Sequence, residues 1–149
     1  MNINNINGTT AVAALCGVKP LHKTAHWELW FCYLRQYARD NHVWEFVDPD
    51  VPASERPERL KMPDFPENFY ELSRNDQKHE MEMLRFLQPR WELQDRGLRA
   101  VKALIHASVE PHVDLLLYYY EDDIAARVRY LRDRFSRRGQ DIEDLVPME

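Results

Sequence analysis

Apolar side chains recur at intervals of three and four in three separate stretches of this chain, the period of a helix with one buried face. In the first, Trp27, Trp30, Phe31, Leu34, Ala38 and Asn41 share a stripe, which predicts a helix from about Lys23 to His42 with Thr24 as its N-cap. The second runs through Met83, Leu87, Trp91, Leu98, Val101, Ile105 and Val109, with Ser73 and Asp76 spaced as a capping box at its start. Pro89 interrupts it, so the pattern predicts either one kinked helix or two, Ser73 to Gln88 and Pro89 to Ser108. The third places Ile124, Val128, Leu131 and Phe135 on one face, with Asp122 or Asp123 as the cap.

Between these stretches the pattern changes. Trp44, Phe46 and Val47 alternate with Glu45 and Asp48, and Pro49 and Pro52 stop any helix there, so the aromatic pair Trp44 and Phe46 is expected to fold back beside the first helix. Asp48 to Pro66 holds five prolines and reads as a connector, either ordered and wrapped around the domain or flexible. A helical turn is expected within Pro66 to Leu72. His112 to Tyr120 is short and apolar; periodicity alone fits a buried strand, but no partner strand is signalled and a helix is preferred. Residues 1–22 read as a loose arm, 23–138 as the folded domain and 139–149 as an acidic tail. The expectation is therefore an all-α domain, a bundle of five or six helices with a proline-rich connector.

Composition narrows this further. With 149 residues the chain fits one domain, and its four glycines favour helices over a turn-rich sandwich. The net charge of −5 gives no global attraction for nucleic acid, so any polyanion contact must be local. Cys16 and Cys32 are too few for a disulfide framework and read as buried free thiols of a reducing, cytoplasmic compartment. The N-terminal apolar run lacks a preceding basic residue and does not read as a secretory signal, and no run is long enough for a membrane span.

No set of residues asks to be read as a catalytic site. No Gly-x-Ser-x-Gly elbow, glycine-rich phosphate loop or Asp-Thr/Ser-Gly triplet occurs, and Glu121, Asp122 and Asp123 are explained by the dipole at a helix start. His22 and His26 are four apart, but no third ligand is placed near them, so no metal, cofactor or small-molecule substrate is expected. Arg127, Arg129, Arg132, Arg134, Arg137 and Arg138 put six arginines in twelve residues, on the expected exposed flanks and end of the last helix. A helix C-terminus favours each such charge by about 0.3–1 kcal/mol, a structural reason that competes with RNA binding. Trp27 and Trp30 read as core, whereas Trp44, Phe46, Trp91, Tyr118 and Tyr119 are candidates for a subunit contact. Pro49 to Pro52 and Pro63 to Pro66 each fit P-x-x-P, which admits a third reading as an adaptor.

Trp27, Trp30, Leu34, Ala38 and then Val43, Trp44, Glu45, Phe46, Val47, Asp48 and Pro49 together resemble the N-terminal part of the Gag protein of fungal copia-type LTR retrotransposons. Leu98, Val101, Leu104, Ile105, Ser108 and Val109, followed by Leu115, Ile124, Val128, Leu131, Arg134 and Phe135, resemble that family's next helices, so the likeness spans roughly 20–136. The resemblance implies a helical capsid-type protein that associates with itself into virus-like particles around the element's RNA. Two features depart from the family pattern: further helices follow there, and many members carry a Cys-Cys-His-Cys zinc knuckle that two cysteines cannot supply.

Overall fold

The computed structural model describes residues 21–120 and 123–136. Among these there are five α-helices and no strand: α1 (Trp27–Asp40), α2 (Trp44–Val47), α3 (Arg74–Ser108), α4 (Pro111–Leu117) and α5 (Ile124–Phe135). Single 3-10 turns at Thr24–His26, Ala53–Glu55, Phe69–Glu71 and Tyr118–Tyr120 join them. Thr24 is thus the first residue of a 3-10 turn and not the expected N-cap. The arm expected to reach residue 22 lies outside the described residues except for Leu21 and His22. Leu21 is fully buried and pairs with the far end of α3, its N–H donating to Ser108 O at 2.6 Å and its O accepting from Glu110 N at 3.2 Å. The acidic tail also lies outside the described residues.

The core is the stripe of α1 laid on the C-terminal third of α3. Trp27, Trp30, Leu34 and Ala38 are buried on α1, and Gly97, Leu98, Val101, Leu104, Ile105 and Ser108 on α3. Trp30 is 1% exposed, and its Nε1 donates to Ser108 Oγ at 2.8 Å while that hydroxyl donates to Leu104 O at 2.6 Å. The indole therefore buries its ring without leaving its one polar atom unpaired, an omission that costs about 1–3 kcal/mol. Val128, Leu131 and Phe135 of α5 and Val113 and Leu117 of α4 complete the same cluster.

The end of α1 fixes where α3 can pass. His42 adopts a left-handed conformation (φ 59°), its N–H donates to Arg39 O at 3.0 Å, and Val43 N donates to Ala38 O at 2.9 Å. These two bonds form a Schellman turn, which satisfies the last carbonyls of the helix and turns the chain sharply. The turn presses on α3 at Gly97, where a Cβ would lie 2.7 Å from Asn41 O and 2.9 Å from Val43 Cγ1. Beyond it Trp44–Val47 forms a single helical turn, and Phe46 and Val47 are buried. The expected folding back is present: Trp44 meets Phe31 edge-on at 6.0 Å between ring centroids.

Residues 74–108 form one helix, about 52 Å long at 1.5 Å per residue. Ser73 Oγ accepts from Asp76 N at 3.2 Å, as the capping box predicts. Pro89 neither ends nor splits the helix. It removes the partner of the Arg85 carbonyl, and both residues are exposed, so that carbonyl lies on the solvent side. At the last helix Asp123 Oδ1 accepts from Ala126 N at 3.0 Å and provides the expected cap.

Gly97→Ala sets a helix-propensity gain of about 1 kcal/mol against overpacking of about 1–3 kcal/mol, here against backbone. Urea denaturation is expected to show a net loss of about 1 kcal/mol, and a rise in midpoint would contradict the close approach. His42→Gly relieves a conformation that costs other residues about 1–2 kcal/mol, at about 0.4–1 kcal/mol of added freedom in the unfolded chain. A small rise in midpoint is expected; an unchanged or lower one would count against the left-handed turn.

Candidate interaction surfaces

The last helix does not present its arginines as a row. Arg127 is buried, 4% exposed, with its guanidinium 5.6 Å from the Tyr118 ring centroid, which corrects the expectation of an exposed flank. It lies one residue before Val128, so its long stem shares the buried side of the helix. Arg129 donates from Nε and Nη2 to Pro49 O at 3.2 and 3.1 Å, and Arg132 Nη1 donates to Asp50 Oδ1 at 2.5 Å. Arg134 is exposed and donates to Tyr130 Oη at 3.1 Å. Arg137 and Arg138 lie outside the described residues.

These arginines grip the start of the connector. Further along, Arg56 Nη1 lies 2.9 Å from Asp123 Oδ1, the same oxygen that caps α5. Leu60 N then donates to Gln94 Oε1 at 2.7 Å, and Gln77 Nε2 donates to Phe69 O and Leu72 O at 3.1 and 3.2 Å. The segment from 60 to 72 is therefore fastened at both ends to one face of α3 and runs antiparallel to it. Gln77, Met81, Leu84, Leu87, Trp91 and Gln94, all half-buried, mark that covered face. Of the two readings of the connector, the ordered wrap holds among the described residues.

The aromatic candidates divide. Phe46 is 5% exposed and belongs to the core, which corrects its assignment to a subunit contact. Trp44 is half-buried between Phe31 and the guanidinium of Arg39, 5.7 Å above its ring. Trp91 is half-buried on the face of α3 that carries the connector. Tyr118 and Tyr119 are exposed, beside Leu115 and Leu116. Cys32, expected to be buried, is exposed; Cys16 lies outside the described residues.

A second apolar face escaped the sequence reading. The first 23 residues of α3, 74–96, contain no buried residue, yet Met83, Phe86 and Leu93 are 41%, 55% and 54% exposed on them. At about 100° per residue they lie, with Arg90, beside the face that carries the connector, Met83 about 20° and Leu93 about 100° from Gln94 around the helix. The guanidinium of Arg90 sits 4.1 Å from the Phe86 ring centroid. The signal was present as spacings of three, four and three, but the single stripe read from the sequence took Met83 with Leu87 and Trp91 and passed over Phe86 and Leu93.

The rest of the surface offers little chemistry. Among the described residues no group of His, Cys, Asp and Glu is placed to hold a metal, and His22 and His26 meet edge-on at 5.0 Å between centroids. A cavity of about 960 Å³ is lined by Lys23 and Arg134 and equally by Glu110 and Asp133, so it favours neither sign of ligand. The Tyr33 hydroxyl pKa is raised, chiefly by burial and then by Tyr37 and Asp40, so the hydroxyl stays protonated at neutral pH. Among the described residues no helix is long and apolar enough to cross a membrane. Comparison with family models, with curated proteins and with solved structures finds no match for this chain.

Hydrogen bonds from a charged donor contribute about 1.5–3 kcal/mol where shielded, and exposed ion pairs about 0–1 kcal/mol, so Arg129 holds the connector more firmly than Arg132. Arg129→Ala is expected to speed tryptic cleavage after Arg59 and Lys61 severalfold, and Arg132→Ala to do so less. Equal cleavage rates in all three proteins would show that the connector is held without this clamp.

Proposed function

We propose that this chain is a non-enzymatic, Gag-like helical protein that works in the cytoplasm by associating with further copies of itself. Three things support the reading. The Trp27 to Pro52 stretch resembles the copia-type Gag family, the fold is all-α with the indoles of Trp27 and Trp30 in the core as a scaffold requires, and the sequence offers no catalytic set. The observation that carries it is the uncovered apolar face on the projecting part of α3. Isolated exposed apolar residues need no explanation, but Met83, Phe86 and Leu93 share one side of one rigid helix, which is how interaction sites are built.

RNA contact enters through the family likeness and draws little support from the arginine run. Arg129 and Arg132 already hold Pro49 and Asp50, and Arg127 is buried. An adaptor read through its P-x-x-P segments is also less favoured, because Pro49 is buried against α5 and the segment containing Pro63 and Pro66 is fastened along α3.

Sedimentation across a concentration series tests the reading. The mass is expected to climb above the 17.9 kDa of one chain as concentration rises. A mass fixed at one chain up to the solubility limit would contradict it.

A further inference from the structure

We infer that residues 57–96, the connector together with the projecting part of α3, form an arm that opens and closes as one unit on a core that stays folded. From Val51 to Arg96 no residue is buried, whereas the core cluster is drawn entirely from residues 21–47 and 98–135. The core therefore owes none of its buried side chains to the arm. The chain leaves it after Pro49 and rejoins it at Gly97, and the two ends of the arm come together: Phe46, Arg56 and Leu98 line one cavity of about 280 Å³.

The arm is held firmly at its base and lightly along its length. Asp123 pairs with Arg56 at one end, and at the other the turn after α1 closes on Gly97. Between these points the connector is fastened by neutral hydrogen bonds, from Leu60 N to Gln94 Oε1 and from Gln77 Nε2 to Phe69 O and Leu72 O, at exposed or half-buried sites where water competes. Among the described residues no ion pair joins Glu58, Arg59, Lys61, Asp64 or Glu67 to α3. The ring contacts of the connector, Phe65 with Phe69 at 4.5 Å and Phe69 with Tyr70 at 5.4 Å between centroids, run within it.

The two halves of the arm depend on each other. A helix of this length without tertiary contacts is marginal in water, and Pro89 takes one bond from it. Its half-buried side chains Met81, Leu84, Leu87 and Trp91 lie on the face that carries the connector. Release of the connector exposes the side chains that steady the helix, and melting of the helix removes the surface on which the connector lies. Opening stops at Gly97, where α1 begins to cover α3. Segments with few buried contacts open at a lower cost than the whole molecule, so covering the arm changes its order and leaves the core as it is.

The test is amide hydrogen exchange of the full-length protein, dilute enough to sediment as one chain. Amides of 78–96 are expected to share one opening equilibrium, slower to exchange than an unstructured chain but about a hundredfold faster than 98–105 on the same helix and 30–38 in α1. Gln77→Ala and Gln94→Ala remove the fastenings at opposite ends of the connector. Each is expected to speed exchange about fivefold across the whole arm, its far end included, and to leave 98–105 and 30–38 unchanged. Equal exchange in the arm and in 98–105 would show that the arm opens only with the whole molecule. A smooth gradient from 78 to 96, or an effect of each variant confined to its own end, would show separate fraying. Any of these three results overturns the inference.

Discussion

The fold depends on the contact between the indole of Trp30 and the hydroxyl of Ser108, because it anchors α1 to the far end of α3 and nowhere else. A 14-residue helix spans about 21 Å, and α3 spans about 52 Å. With its start near Ser108 and its end turned at Gly97, α1 can cover only the last third of its partner. Everything else follows from that mismatch in length. The core gathers at one end of α3, and the remaining 23 residues project from it.

A projecting helix with apolar residues on two sides needs covering on both. The connector supplies one cover, and its prolines suit the task, since extended backbone without pairing can lie along a helix over many residues. It stays there because α5 grips its root through Arg129 and Arg132 and because Arg56 is tied to the cap of α5. The arginine run thus has a local use that its density alone does not suggest. Two of the arginines that read as a polyanion site in sequence, Arg129 and Arg132, are spent on carbonyl and carboxylate oxygens of the same chain.

Much of this was legible from residue spacing. The periods through Trp27 to Ala38, Leu98 to Ile105 and Ile124 to Phe135 locate the buried stripes, and Ser73 and Asp123 act as the caps that their positions predict. Local rules failed where a long-range contact decides. Arg127 is buried because Tyr118 comes back over it, and Phe46 is core because the turn at His42 swings it inward. Pro89 was read as either a kink or a split, and the helix runs on through it because the carbonyl that loses its partner lies on the solvent side. The face of Met83, Phe86 and Leu93 was missed for a different reason: two apolar stripes on one helix blur into a single run of spacings, and only the position of the connector separates them.

The proposed function requires that the second side of the projecting helix be covered by another copy of the chain. Amide hydrogen exchange over residues 79–97, followed at low and at high protein concentration, tests that most directly. The account predicts slow exchange there that slows further as concentration rises, while exchange in the core around Trp30 stays the same. Exchange over 79–97 that is rapid and indifferent to concentration would contradict it.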